Sequence, residues 1–205
     1  MTVLGSYGAF QRAISSCVEK GTGTSLQKFD YGAQRAHQLS NKLKMRRIAL
    51  LLSDRHRDWV SGISFHPSGA QLASSSGDSS IKLWDFHSRK CTATLMDHTH
   101  AVWAVEFHSA GHYMASASMD HCSKLWDVTT EKSLFSFRGH LDSVNSVCWH
   151  DALIATASSD KTIALWDPRS GSCVQTFNSH ANSCNYVTAS PKVYILWHVR
   201  KNIFP

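Results

Sequence analysis

The chain has 205 residues, 42% of them hydrophobic and 18% charged, and a formal net charge of +6. That length holds one substantial domain, and no apolar run approaches the length of a membrane-spanning helix. The charge excess sits at one end: residues 1–60 carry ten Lys/Arg against four Asp/Glu, and the other 145 carry eleven against eleven. The body of the chain therefore lacks a phosphate-binding field, and nucleic acid is excluded as its partner.

Residues 1–47 read as a basic, poorly ordered extension, because glycines at 5, 8, 21, 23 and 32 interrupt any long helix. Ala33–Arg47 holds good helix formers. The run Lys42-Leu43-Lys44-Met45-Arg46-Arg47 has two readings, a contact for an acidic, tubulin-like surface or a solvated linker, and the linker is weighted more heavily. The first residues lack the continuous apolar core of a secretory signal, and Arg12 is the sole base in 1–18, a poor match to a transit peptide. These features place the chain in the cytosol or on the cytoskeleton.

From residue 48 to 190 the chain repeats itself. His56, Ser74, Asp78 and Trp84 recur as His98, Ser116, Asp120 and Trp126, and again as His140, Thr156, Asp160 and Trp166. The histidines step by 42, 42 and then 40 residues to His180. A period of about 40–45 residues closing on Trp-Asp predicts four-stranded propeller blades. Alternating strands such as Ile81-Lys82-Leu83 and Ile163-Ala164-Leu165 follow short turns that carry the Asp, the pattern of β-hairpins. One blade cannot bury its own faces, so neighbours must stack and share an apolar interior. Fixed offsets from each His assign that interior to Val60, Ile63 and Phe65, to Val102, Val105 and Phe107, and to Val144, Val147 and Trp149.

The expected fold is all-β: an incomplete propeller of three full blades, at about 56–97, 98–139 and 140–179, with partial blades on either side. Ile48–Ser53 aligns with the outer strands expected at 90–96, 132–138 and 172–178. A fourth unit opens at His180 with Asn182, Cys184 and Val187, then loses the pattern after Pro191. Residues 191–205 form a divergent tail, with one candidate strand at Val193–Val199. Three outcomes stand open for the strand edges: a short version of a longer protein whose ends replace missing blades, which is favoured, closure by a second copy or a partner, or a stable open arc.

The recurring His, Ser/Thr, Asp and Trp can form one hydrogen-bond chain, because indole only donates, carboxylate only accepts, and hydroxyl and neutral imidazole do both. His98, Asp120 and Ser116 also match the residue types of a nucleophilic triad. A triad is needed once and the set occurs three times, each with a Trp to occupy the hydroxyl, so the twelve residues are assigned a structural role and no catalytic residue is named. The six cysteines, 17, 91, 122, 148, 173 and 184, include no C-x-x-C pair and read as reduced thiols. His98, His100, His108, His112 and His121 crowd the second repeat without a Cys or carboxylate set to complete a metal site. No phosphate loop or paired carboxylates appear, and no cofactor is expected.

The segments Phe65-His66-Pro67-Ser68-Gly69, Ser75-Ser76-Gly77-Asp78, Lys82-Leu83-Trp84-Asp85, Ser123-Lys124-Leu125-Trp126-Asp127-Val128 and Gly139-His140-Leu141-Asp142-Ser143-Val144 resemble those of WD-repeat proteins, over about residues 54–190. More narrowly, they are similar to the axonemal central-apparatus branch of that family. The resemblance implies a non-catalytic scaffold of the ciliary or flagellar axoneme with other, microtubule-associated proteins as partners. Arg55, Asp97 and Ser179 depart from the usual Gly before the His, and the turn at Asp151-Ala152 is two residues short.

In this family partners commonly dock on residues three and five after the His and just before the Asp. Carried over, those are Trp59, Ser61 and Gly77; Ala101, Trp103 and Met119; and Ser143, Asn145 and Ser159. The competing reading packs Trp59 and Trp103 onto neighbouring blades. A second function, substrate receptor of a cullin-type ubiquitin ligase, follows from Trp166-Asp167-Pro168-Arg169, where Arg169 would contact an adaptor; a third is a generic signalling scaffold.

Overall fold

A computed structural model describes residues 55–189. The expectations for the N-terminal extension, the strand at Ile48–Ser53 and the tail after Pro191 fall outside these residues.

Among the described residues, twelve strands make three antiparallel four-stranded sheets, each a simple meander. The first blade is β1 (Val60–Phe65), β2 (Gln71–Ser76), β3 (Ile81–Asp85) and β4 (Lys90–Leu95). The second is β5 (Val102–Phe107), β6 (Tyr113–Ser118), β7 (Ser123–Asp127) and β8 (Lys132–Phe137). The third is β9 (Val144–His150), β10 (Leu153–Ser158), β11 (Ile163–Trp166) and β12 (Cys173–Phe177). Burial falls from the middle strands to the outer one: Ala155, Thr156 and Ala157 of β10 are shut off from solvent, whereas four of the five residues of β12 are exposed.

The second blade lies between the other two. Ala73, Ile81, Leu83, Ala93 and Leu95 of the first blade pack against Val102, Val105, Phe107, Met114 and Trp126 of the second. The opposite face of the second blade, Ala115, Ala117, Leu125 and Phe137, packs against Val144, Val147, Ile154, Ala164 and Trp166. Each alternating strand thus supplies one apolar row to each neighbour, as period-two patterning requires when both faces are covered. The third blade continues the series, since Cys184 and Val187 bury against Cys148, Ala155, Ala157, Ile163 and Leu165. Cys184 and Val187 stand at the offsets from His180 that Val144 and Val147 have from His140, although 180–189 pairs into no regular strand.

Six of the nine expected interior residues are buried: Ile63, Val102, Val105, Phe107, Val144 and Val147. Val60, Phe65 and Trp149 are half-buried. Val60 and Phe65 lie beside Ile63, Leu72 and Trp84 on the face of the first blade turned away from the second. Trp149 packs against the apolar layer between the second and third blades, and its indole N–H donates to the Glu106 carbonyl of the preceding blade at 3.1 Å.

The turns at one end also join blades. The imidazole of His66 donates through Nε2 to the Gly111 carbonyl at 3.1 Å and accepts at Nδ1 from the Ser68 N–H. Gly111 has φ +81°, and a Cβ there would meet His66 Nε2 at 2.4 Å, so only glycine permits this approach. The corresponding turn of the third blade is the two-residue Asp151-Ala152 connection, with Asp151 at φ 49°.

Candidate functional site

At the other end of the blades, the loops before β1, β5 and β9 meet the loops after β2, β6 and β10. The backbone N–H of Gly77 donates to the Trp59 carbonyl, that of Met119 to Ala101, and that of Ser159 to Ser143, each at 2.9 Å. Six of the nine candidate partner-face residues are therefore tied in pairs through backbone.

Beneath this end lie the three hydrogen-bond chains. In the first blade the Trp84 indole donates to Ser74 Oγ (2.8 Å), the Ser74 hydroxyl donates to His56 Nε2 (2.8 Å), and His56 Nδ1–H donates to Asp78 Oδ2 (2.9 Å). The second blade repeats this with Trp126, Ser116, His98 and Asp120 at 2.8, 2.7 and 2.7 Å. The third uses Trp166, Thr156, His140 and Asp160 at 2.8, 2.7 and 2.9 Å. In this donor order each imidazole accepts at Nε2 and donates through Nδ1 to its carboxylate. Burial holds the pKa of His56 below its ordinary value against the pull of Asp78.

Each aspartate also closes its own turn. Asp78 accepts from the Arg57 N–H, the Ser80 N–H and the Ser80 hydroxyl; Asp160 accepts from the Leu141 N–H, the Thr162 N–H and the Thr162 hydroxyl. Cys122 takes that hydroxyl's place in the second blade, leaving Asp120 the N–H groups of Thr99 and Cys122. Burial works against the ionised forms, but these donors outweigh it: the carboxyls of Asp120 and Asp160 fall to about 2, and Asp78 lies below the usual carboxylate range. A further set of hydroxyls went unremarked in the sequence. Ser76, Ser118 and Ser158, two before each Asp, accept its backbone N–H at 3.1 Å and donate to carbonyls of the loop above. Their shared spacing was the available signal.

Chemically, these sets offer no attack on a substrate. Ser74, Ser116 and Thr156 are fully buried, and each hydroxyl already holds an indole donor and an imidazole acceptor. Among the described residues no group of three His, Cys, Asp or Glu is placed to hold a metal ion, and no helix is long and apolar enough to cross a membrane.

The surface above them is aromatic and partly open. Trp59 is 39% exposed, stacks on Trp103 across the blade boundary with ring centroids 4.9 Å apart, and covers Gly77, where a Cβ would meet the indole at 2.6 Å. Trp103 is half-buried and donates to Ser143 Oγ at 2.9 Å. Met119 is 48% exposed, and beside Ser143 stands Leu141 at 85%. The polar candidates face inward: Ser61 bonds the Val102 carbonyl and Ser75, and Asn145 donates to Ser159 Oγ and the Cys184 carbonyl. Trp59 and Trp103 thus pack onto each other across the blade boundary, and Trp59 stays partly exposed there. Leu141 was missed, because one apolar residue in a loop carries no periodic signal. Arg169 lies in the exposed β11–β12 turn at the opposite end.

The WD domain, G-beta repeat (WD40) profile matches residues 50–85, 89–127 and 131–167. A nuclear distribution protein PAC1 of Ajellomyces capsulatus is 45% identical over 49 residues, 24% of this chain and 11% of that protein. A lissencephaly-1 homolog of Monosiga brevicollis is 44% identical over 54 residues, 26% of this chain and 13% of that protein. A nuclear distribution protein nudF 2 of Aspergillus clavatus is 45% identical over 47 residues, 23% and 11%. The matched stretches thus span little more than a tenth of each relative.

Proposed function

The chain belongs to the WD40 family of G-beta repeat proteins, and from that premise we propose that it is a non-catalytic scaffold binding other proteins through the end that carries Trp59, Trp103 and Met119. The observation that carries this reading is an exposed aromatic and sulfur-bearing surface laid over three hydroxyls that are closed to chemistry. Large side chains of this kind dominate interface energetics when a partner covers them.

The setting we favour is the cytoplasm and its cytoskeleton. Two of the relatives are named for nuclear distribution, and the resemblance of the repeat segments points to the axoneme, the narrower of the two settings. The ligase-adaptor alternative rests on Arg169 alone and ranks second.

Trp103→Ala is expected to cut recovery of partners in a quantitative pull-down by about tenfold or more, the scale of a hot-spot residue. Because Trp103 also packs between blades, Met119→Ser serves as the second variant: its backbone bond to Ala101 survives, so the fold persists while the surface changes. An unchanged partner set with both variants would remove this end of the blades from the interaction.

A further inference from the structure

Resting on the interaction-face reading above, we propose that the Trp59–Trp103 pair receives an arginine side chain from a basic linear segment of a partner protein. Trp59 is held from below by Gly77 and from the side by Trp103, and Trp103 is fixed by its bond to Ser143, so the rings form a supported shelf.

Carboxylates flank the shelf. Asp58 accepts the N–H of Trp59 at 2.7 Å, and Asp142 accepts the N–H of Ser143, the residue that anchors Trp103, at 2.6 Å. Both aspartates are exposed. The loops of this end carry Asp58, Asp78, Asp97, Asp120, Asp142 and Asp160 against the bases Arg55, Arg57, Arg138 and Lys161, a small acidic excess in a chain that is basic as a whole.

A π face beside carboxylates is the complement of a guanidinium, which is planar, stacks on indole and bonds oxygen through several N–H groups at once. Exposed Leu141 and Met119 can take the aliphatic stem or a neighbouring apolar residue. An acidic segment would meet repulsion, and a purely apolar one would cover carboxylates without pairing them.

The test is fluorescence anisotropy of a labelled hexa-arginine peptide with the full chain. Binding is expected to weaken as salt is raised and to fall about tenfold in the Asp58→Asn/Asp142→Asn double variant, which keeps the side-chain shape and its bonds to backbone. Trp103→Ala should lose as much, and hexa-lysine should bind several-fold less tightly than hexa-arginine.

Equal binding by the double variant, or equal affinity for hexa-glutamate, would overturn the proposal. Binding that emerges only after Lys42, Lys44, Arg46 and Arg47 are replaced by Gln would also overturn it, by giving the shelf to the chain's own basic run. If Met119→Ser and Trp103→Ala shed partner proteins while hexa-arginine ignores the shelf, the interaction face stands and its arginine chemistry falls. If neither variant changes anything, both fall.

Discussion

Trp126→Ala is expected to lower the unfolding free energy by about 3–5 kcal/mol, the range for truncating a large buried aromatic. Trp126 is 2% exposed and belongs to the apolar layer joining the first and second blades, against Ala73, Ile81, Leu83 and Val102. The substitution empties that layer and also takes the indole donor from Ser116. Since domains of this size are stable by only about 5–15 kcal/mol, most of the margin would be gone. Trp126→Phe separates the two effects: it keeps most of the packing, leaves the Ser116 hydroxyl its bond to His98, and should cost about 1–2 kcal/mol. Urea titrations followed by circular dichroism would measure both. A loss below about 1 kcal/mol for Trp126→Ala would mean that the blade boundary closes around the gap and carries little of the stability.

The parts of this molecule legible from its residues are those that recur at fixed spacing. Four residue types returning in the same order, with offsets from the His only two residues shorter in the third repeat, located the loops, the central strands and the twelve side chains that the fold brings within hydrogen-bond distance. Offsets from each His also identified six interior positions, among them Val102 and Val144 in the layers between packed blades. They overestimated Val60, because a repeat pattern records what a blade offers and not what stands beside it. Features unique to one blade stayed hidden for a related reason. Asp97, read as a departure from a turn glycine, pairs with buried Lys124 and accepts the Ser133 hydroxyl at 2.7 Å. The stack of Trp59 on Trp103 depends on offsets three and five being filled by tryptophan in adjacent blades. That juxtaposition exists only once blades are packed, so no single repeat displays it.

Asp160→Ala is expected to destabilise the third blade by about 2–4 kcal/mol, because it strips the acceptor from four donors while the His140 Nδ1–H stays buried. The exposed Leu141 N–H can turn to water, which keeps the loss below the full sum of four bonds. The same carboxyl predicts how the protein responds to acid. The pKa of Asp160 in the folded state is about 2, below the value of about 3.9 for an unfolded aspartate. The unfolded chain then binds more protons between those values, so stability is present above about pH 4 and drains away as pH falls towards 2. Asp120 adds a second such loss and Asp78 a third that extends lower, while His56, held neutral by burial, begins to contribute below about pH 6.5. Removing Asp160 should therefore flatten the fall in the window from about pH 4 to 2, since one of the aspartates held below its unfolded value no longer titrates on unfolding. Urea midpoints measured across that window for both proteins test this directly. Parallel curves would show that Asp160 is not coupled to folding, and the hydrogen-bond chain of the third blade would then be a consequence of the fold and not one of its supports.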